Sequence, residues 1–178
     1  YPWLYPDALN QLAQWSNEHY PAYLDRIMQD SGVDPQHIVS GHLIINAKLD
    51  DPEIHQWAST FPVEVKTVGV QELLELEPEL NPQLKQGLWL PTIGQVRNPR
   101  LVQALRGAAE KLGVSIHEHR PVTGITQQNG QVTGISTEAG TVTADRVLIT
   151  AGAWSGQFAP GQPMPAIEPV KGQMIQYQ

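Results

Sequence analysis

Val122-Thr-Gly-Ile-Thr-Gln-Gln-Asn-Gly130-Gln-Val-Thr-Gly-Ile-Ser-Thr-Glu-Ala-Gly140-Thr-Val-Thr-Ala-Asp145 nearly repeats itself every ten residues, with Val122-Thr-Gly-Ile125 answered by Val132-Thr-Gly-Ile135 and Val142-Thr-Ala-Asp145. Two of the repeats end at Asn129-Gly130 and Ala139-Gly140. Asn-Gly is a preferred two-residue hairpin turn because both central residues tolerate positive φ, so the three segments predict an antiparallel β-meander. The third segment runs on into Arg146-Val-Leu-Ile-Thr-Ala-Gly152. Its continuous apolar run reads as a strand buried on both faces. Ligands of open α/β sheets sit beyond the carboxyl ends of strands, and a glycine at such an end lets a ligand approach the backbone closely.

Working toward the N-terminus, Asn98-Pro99 has the form of an N-cap followed by proline at the first helical position. Leu101, Leu105, Ala108, Ala109 and Leu112 supply one apolar face, and Gly113 a stop. Val114-Ser-Ile116 then reads as a strand, giving a helix-to-strand unit of the kind that builds parallel sheets.

The region before Asn98 has a different character. Asp7 can cap a helix carrying Leu9, Leu12, Ala13, Trp15, Tyr20, Tyr23, Leu24 and Ile27, with a break or kink expected at Pro21 and an end near Gln29, before Gly32-Val33-Asp34-Pro35. A strand over 41–47, a helix opening at Asp51-Pro52, a β segment around Val63, Val65 and Val68, a short helix over 71–77 stopped by Pro78, and a strand over 87–91 follow. Residues 1–97 carry thirteen acids and five bases, net −8, whereas 98–178 carry five acids and six bases, net +1. Ten of the fifteen glycines fall in the second part. The expectation is a mixed α+β and α/β chain with two structural territories divided near Asn98.

Composition excludes several classes. A net charge of −7 over 178 residues denies the broad positive surface that nucleic acid requires. No run of about 18 apolar residues exists, so neither a spanning segment nor a membrane partner is expected. The absence of cysteine removes disulfides, thiolate metal sites and a thiol nucleophile, and fits a cytoplasmic compartment. A chain opening on Tyr1 is expected to be an excised piece of a longer one.

The run 137–155, Thr-Glu-Ala-Gly140-Thr-Val-Thr-Ala-Asp-Arg-Val-Leu-Ile-Thr-Ala-Gly152-Ala-Trp-Ser155, resembles the meander and final strand of FAD-dependent amine oxidoreductases of the D-amino-acid oxidase superfamily. Pro169-Val-Lys-Gly-Gln-Met174 resembles the strand that follows in that family, and Pro99 to Leu105 with Gly113-Val114 the helix and strand before the meander. Within the superfamily, Tyr1-Pro-Trp3, Tyr5-Pro6, Leu12-Ala13, Ser16, Tyr20 and Leu76-Glu-Pro78 resemble bacterial glycine oxidases. These blocks cover nearly the whole chain. The resemblance implies the middle portion of a two-domain enzyme: 1–97 from the substrate-binding domain, 98–157 from the FAD-binding domain, and 158–178 a return strand to the substrate domain.

Carried onto this sequence, the resemblance makes Val122 a source of backbone groups for the adenine edge of FAD, the alternative being an ordinary strand residue. Ala151 and Gly152 match the small pair that lets the strand end pass the flavin diphosphate or ribityl region, unless Gly152 only turns the chain. Trp154 either closes the cofactor pocket or fills a core between domains. The Gly-x-Gly-x-x-Gly turn that cradles a dinucleotide is not found in this sequence. No residue here is expected to be catalytic, and the chain alone is expected to be inactive. The activity implied for the parent enzyme is oxidation of glycine or another small amino acid or amine to an imine, with oxygen reduced to hydrogen peroxide. In the glycine-oxidase branch the imine can feed thiazole synthesis for thiamine. A relative acting on sarcosine, a D-amino acid or a modified tRNA base stays open, as do a homo-oligomer and a flavin-free binding module.

Other constellations read as structural. His117 and His119 share a strand face, but no carboxylate-and-His set completes a metal site. In Gly152-Ala-Trp-Ser155-Gly156 the serine stands one place too late for a hydrolase elbow. Arg97, Arg100, Arg120 and Arg146 adjoin turns or helix starts, where a solvated charge is expected. Glu72, Glu75, Glu77 and Glu79 read as a solvated surface, and Trp3, Tyr5, Trp15 and Tyr20 as packing residues.

Overall fold

A computed structural model describes residues 2–45, 47–158 and 167–173. These form two compact units, 1–115 and 116–178.

The first unit opens with a short 3-10 turn, Pro2–Leu4, and a long helix, α1, Asp7–Ser31. The break expected at Pro21 does not occur. The helix passes through it and stops at Gly32, whose φ of +72° closes the helix with an N–H bond to the Met28 carbonyl. Packing explains the continuity: Leu24 and Ile27, one and two turns beyond the proline, are buried, and Ile27 meets Ala104 and Ala108 of helix α4, Asn98–Lys111. Tertiary contact thereby offsets the lost hydrogen bond of an interior proline. Replacing Pro21 by Ala restores a donor and is expected to raise stability by about 2 kcal/mol, the roughly 3 kcal/mol helix penalty less about 1 kcal/mol of unfolded-chain entropy. A chemical-denaturation midpoint that fails to rise refutes this.

The buried face is the one expected only at its C-terminal end, at Leu24 and Ile27. Of the apolar positions of α1, Leu9, Leu12, Trp15 and Tyr23 are exposed. The seam with α4 sets Ile27 against small groups: Ala104 is fully buried, and a Cβ at Gly107 would stand 3.1 Å from the Ser31 Cβ. Leu105 of α4 and Leu112 at its C-cap lie outside that seam and are exposed. Arg97, not Asn98, occupies the N-cap of α4, with no side-chain cap bond. Arg97 is used to hold the preceding loop: its Nη1 donates to Gln36 Oε1 at 3.2 Å, while Arg100 Nε donates to the Asp34 carbonyl at 3.1 Å.

Between these helices lie two small sheets. β1, Ile38–Val39, pairs antiparallel with β5, Gly94–Gln95. The larger sheet has the order β2-β4-β3, with β2 at His42–Ile44, β3 at Lys66–Gly69 and β4 at Gln86–Leu90, all antiparallel. Val63 and Val65 precede β3 and pack on the core from a loop. Helix α2, Pro52–Thr60, starts as its sequence demands: Asp51 caps it by accepting from the Glu53 N–H at 3.0 Å, with proline in the first turn. Its Ile54 and Trp57 join Trp3, Ile44, Phe61, Leu88 and Leu90 in the main core. Trp57 lies between Trp3 and Phe61, with ring centroids 6.1 and 6.5 Å away. Helix α3, Val70–Leu76, buries Leu73 and ends before Pro78.

The second unit is the meander: β6, Val122–Gln128, β7, Gln131–Thr137, and β8, Gly140–Thr143, in that order. Asn129 and Gly130 both have positive φ, +52° and +78°, as the two-residue turn requires. The second loop is Glu138-Ala139, and Gly140 already belongs to β8, its carbonyl accepting from Thr137 Oγ1 at 2.8 Å.

Two expected strands are not formed. Residues 114–116 and 145–151 are irregular, and Leu148 is 87% exposed. A strand exists only through a ladder with a neighbour, and among the described residues none lies beside either segment. Of the return strand expected over 158–178, residues 167–173 make no ladder, and 159–166 and 174–178, including Met174, lie outside the described residues. No helix among the described residues is long and apolar enough to cross a membrane.

Candidate cofactor site

Val122 is half-buried at the first position of β6, opposite Thr137. The next aligned pair is Gly124 with Ser136, so Thr123 is an extra residue and the ladder breaks beside Val122. A bulge of this kind leaves backbone groups of the extra residue unpaired. These are the groups that can read the edge of a planar heterocycle, whatever side chain the residue carries. A second shift, between Thr126 and Gln127, gives β7 the extra residue Thr133, whose hydroxyl donates to Thr126 Oγ1 at 3.1 Å. The Thr133 carbonyl accepts from the Ala144 N–H at 3.0 Å, the last ladder-like bond before the chain leaves the meander.

Ala151, Gly152 and Trp154 come together in and beside a 3-10 turn, Gly152–Gln157. The Ala151 carbonyl accepts from the Trp154 N–H at 3.1 Å, and Ser155, which is buried, accepts through its carbonyl from the Phe158 N–H at 3.2 Å. Gly152 has φ +56°, so glycine is favoured for conformation alone, and a Cβ added there would meet nothing within 4 Å. The space beside its backbone is therefore open to a closely approaching group. Trp154 is 62% exposed, so within the described residues its indole presents an apolar face to the surroundings, as either a pocket cover or a core between domains requires. The donor set fits a flavin nucleotide in kind, with uncommitted backbone at a bulge, a glycine with free space, small neighbours Ala151 and Ala153, and an accessible indole.

Among the described residues no group of three or more His, Asp or Glu gathers as metal ligands. His117 and His119 are both exposed, and His119 has φ +56°.

Sequence reading missed a second concavity. In the first unit a cleft of about 490 Å3 opens between α1, the β2 edge and the end of α2. Ile44, Trp57, Phe61 and Leu90 floor it, and Gln14, Asn17 and Glu18 stand along its α1 wall. Its signal was a polar flank recurring at helical spacing on α1, but that flank becomes a wall only once β2 and α2 are placed opposite.

The model of the FAD dependent oxidoreductase (DAO) family matches residues 1–178. The chain is 38% identical over 178 residues to a glycine oxidase of Pseudomonas putida, covering 98% of this chain and 48% of that protein. With a glycine oxidase of Pseudomonas aeruginosa it shares 36% over 182 residues, covering 99% and 49%. The crystal structure of glycine oxidase from Bacillus cereus superposes with a TM-score of 0.79 at 27% identity, over 89% of this chain and 45% of that one. The chain thus spans about half the length of the curated relatives it matches. A family match along the whole chain, a meander of the expected strand order and a shared backbone lead to one conclusion: the chain belongs to the DAO family of FAD-dependent oxidoreductases.

Proposed function

We propose that this chain is part of a flavoprotein that oxidises glycine or a closely related small amine. The observation that carries the reading is the 38% identity to a glycine oxidase, sustained across both compact units rather than confined to one. In this reading 1–97 belongs to the substrate-binding side, 98–157 to the FAD-binding side and 158–178 to the return toward the substrate side.

When bound, FAD supplies two-electron oxidation of an amine to an imine, which water hydrolyses to an oxo acid and ammonia, with oxygen as final acceptor and hydrogen peroxide as product. The chain's own contribution is to hold and orient. Unpaired backbone at the Val122–Thr123 bulge offers fixed donors and acceptors, which cost little entropy because the meander already fixes them. Gly152 admits close approach without a side chain in the way, and Trp154 supplies an apolar cover. No residue of 1–178 is assigned proton transfer. The compartment is cytoplasmic in this reading, the substrate a small amino acid and the co-substrate oxygen. Thiazole synthesis for thiamine is a consumer whose chemistry suits the imine.

The test is the visible absorption spectrum of the natural-length protein, recorded anaerobically before and after adding glycine. A flavin spectrum that bleaches on addition is the expected result. Flavin that glycine leaves oxidised refutes the substrate, and sarcosine and D-amino acids are then the next additions. A protein purified without flavin, and unable to take it up, overturns the oxidase reading.

A further inference from the structure

The cleft of the first unit is separate in composition from the cofactor residues, all four of which belong to the second unit. Its floor is apolar and aromatic: Ile44, Trp57, Phe61 and Leu90 are each less than a tenth exposed. His42 stands on the same side of the sheet as Ile44 and lines the mouth. The volume of about 490 Å3 lies within the range of small-molecule sites.

Charge decides what suits it. Among the described residues no lysine or arginine lines the cleft, whereas Glu18 does. Gln14 Nε2 donates to Glu18 Oε1 at 3.1 Å, and no cation among the described residues pairs with that carboxylate. The surrounding sequence reinforces the sign, with thirteen acids against five bases over 1–97. An anionic ligand is repelled, and a neutral one gains at most a hydrogen bond to the carboxylate. An organic cation gains from Glu18, and its apolar substituent finds Trp57 and Phe61, whose rings attract cations that reach their faces.

We propose that this cleft binds an organic ammonium ion carried on an apolar body, with Glu18 as the charge partner and the Trp57–Phe61 floor as the seat of the body. The site is independent of the flavin reading. A quaternary ammonium has no nitrogen lone pair and cannot be converted to a neutral imine, so its binding is read without turnover, and substitution of Glu18 assigns that binding to the cleft.

The experiment is isothermal titration of the natural-length protein with benzyltrimethylammonium, with benzyl alcohol as the neutral control, repeated on Glu18→Gln. Glu18 is exposed and packs in no core, so the variant keeps its fold, which a circular dichroism spectrum verifies. The expected result is saturable binding at least tenfold tighter for the ammonium than for the alcohol, with that preference lost in Glu18→Gln. Absence of saturable binding overturns the proposal, including the case in which other parts of the protein cover the cleft. A preference that survives the substitution overturns it equally. Failure of glycine to bleach flavin leaves this result untouched, and failure here leaves the flavin assay untouched.

Discussion

Gly134→Ala is expected to remove about 3–5 kcal/mol from the stability of the meander, in the uppermost part of the range single substitutions reach. Gly134 is buried in the central strand β7, paired with Thr126 on one side and Thr143 on the other. Two penalties coincide there. Its φ of +151° is a conformation that L side chains rarely adopt, and a Cβ would stand 2.1 Å from the Val142 carbonyl oxygen and 2.9 Å from the Thr143 Cα. Both obstructing atoms are backbone, so relief requires β8 to move away from β7 and surrender ladder bonds. Two other glycines separate the penalties. Gly140 has φ +118° with nothing within 4 Å of its Cβ position, so Gly140→Ala measures backbone strain alone, about 1–2 kcal/mol. Gly124 has neither problem, and its alanine variant is expected to be neutral or stabilising by a few tenths of a kcal/mol. Urea unfolding followed by circular dichroism gives the order. If Gly134→Ala costs no more than Gly140→Ala, the close approach of β7 and β8 is wrong.

That glycine also shows where sequence reading stops. Asn129-Gly130 announced its hairpin because the information is local: two adjacent residues tolerate positive φ, and the turn follows. Gly134 sits in a repeat that reads as ordinary strand, and its necessity arises from a neighbour eight residues later. The same holds for the cofactor candidates. Val122 could be placed at the head of a strand from the repeat, but the bulge that frees backbone beside it depends on register against β7. Trp154 was ambiguous as a sequence feature because an indole suits a core or a cover equally, and exposure is a property of the fold. In α1 the helical period was legible, and the buried face only at Leu24 and Ile27. Periodicity singles out large residues, while the seam with α4 was selected by the absence of bulk at Ala104, Gly107 and Ala108. The run 145–151 failed for a related reason: apolar content suggested a buried strand, but ladder partners are non-local, and none of the described residues supplies one.

Leu88→Ala is expected to cost about 3–4 kcal/mol, the upper middle of the 2–5 kcal/mol range for buried leucine. Leu88 is 2% exposed on β4, the strand that holds the first unit's larger sheet together by pairing with Ile44 of β2 and Thr67 of β3. Deletion of the methine and its two methyl groups forfeits the free energy of burying them and leaves a cavity in the main core. How much of that cavity persists depends on whether the sheet can collapse into it. Gly87, the preceding residue, faces the other side of the sheet, where a Cβ would meet Leu73 Cδ2 at 3.1 Å and the Ile44 carbonyl at 3.2 Å. That face is already in close contact with α3, and Trp57 and Phe61 are held among other core side chains on the opposite one. Neither layer can close the gap without disturbing the other, so the cavity term is retained. Leu12→Ala, at a position 60% exposed on α1, loses little burial and gains helix propensity, and should lie within about 0.5 kcal/mol of the parent. Native-state hydrogen exchange locates the effect: in Leu88→Ala the amides of β2, β3 and β4 should lose protection by about a hundredfold or more, the exchange equivalent of the stated free energy. Equal losses for the two leucine variants would mean that β4 is not the keystone of this sheet.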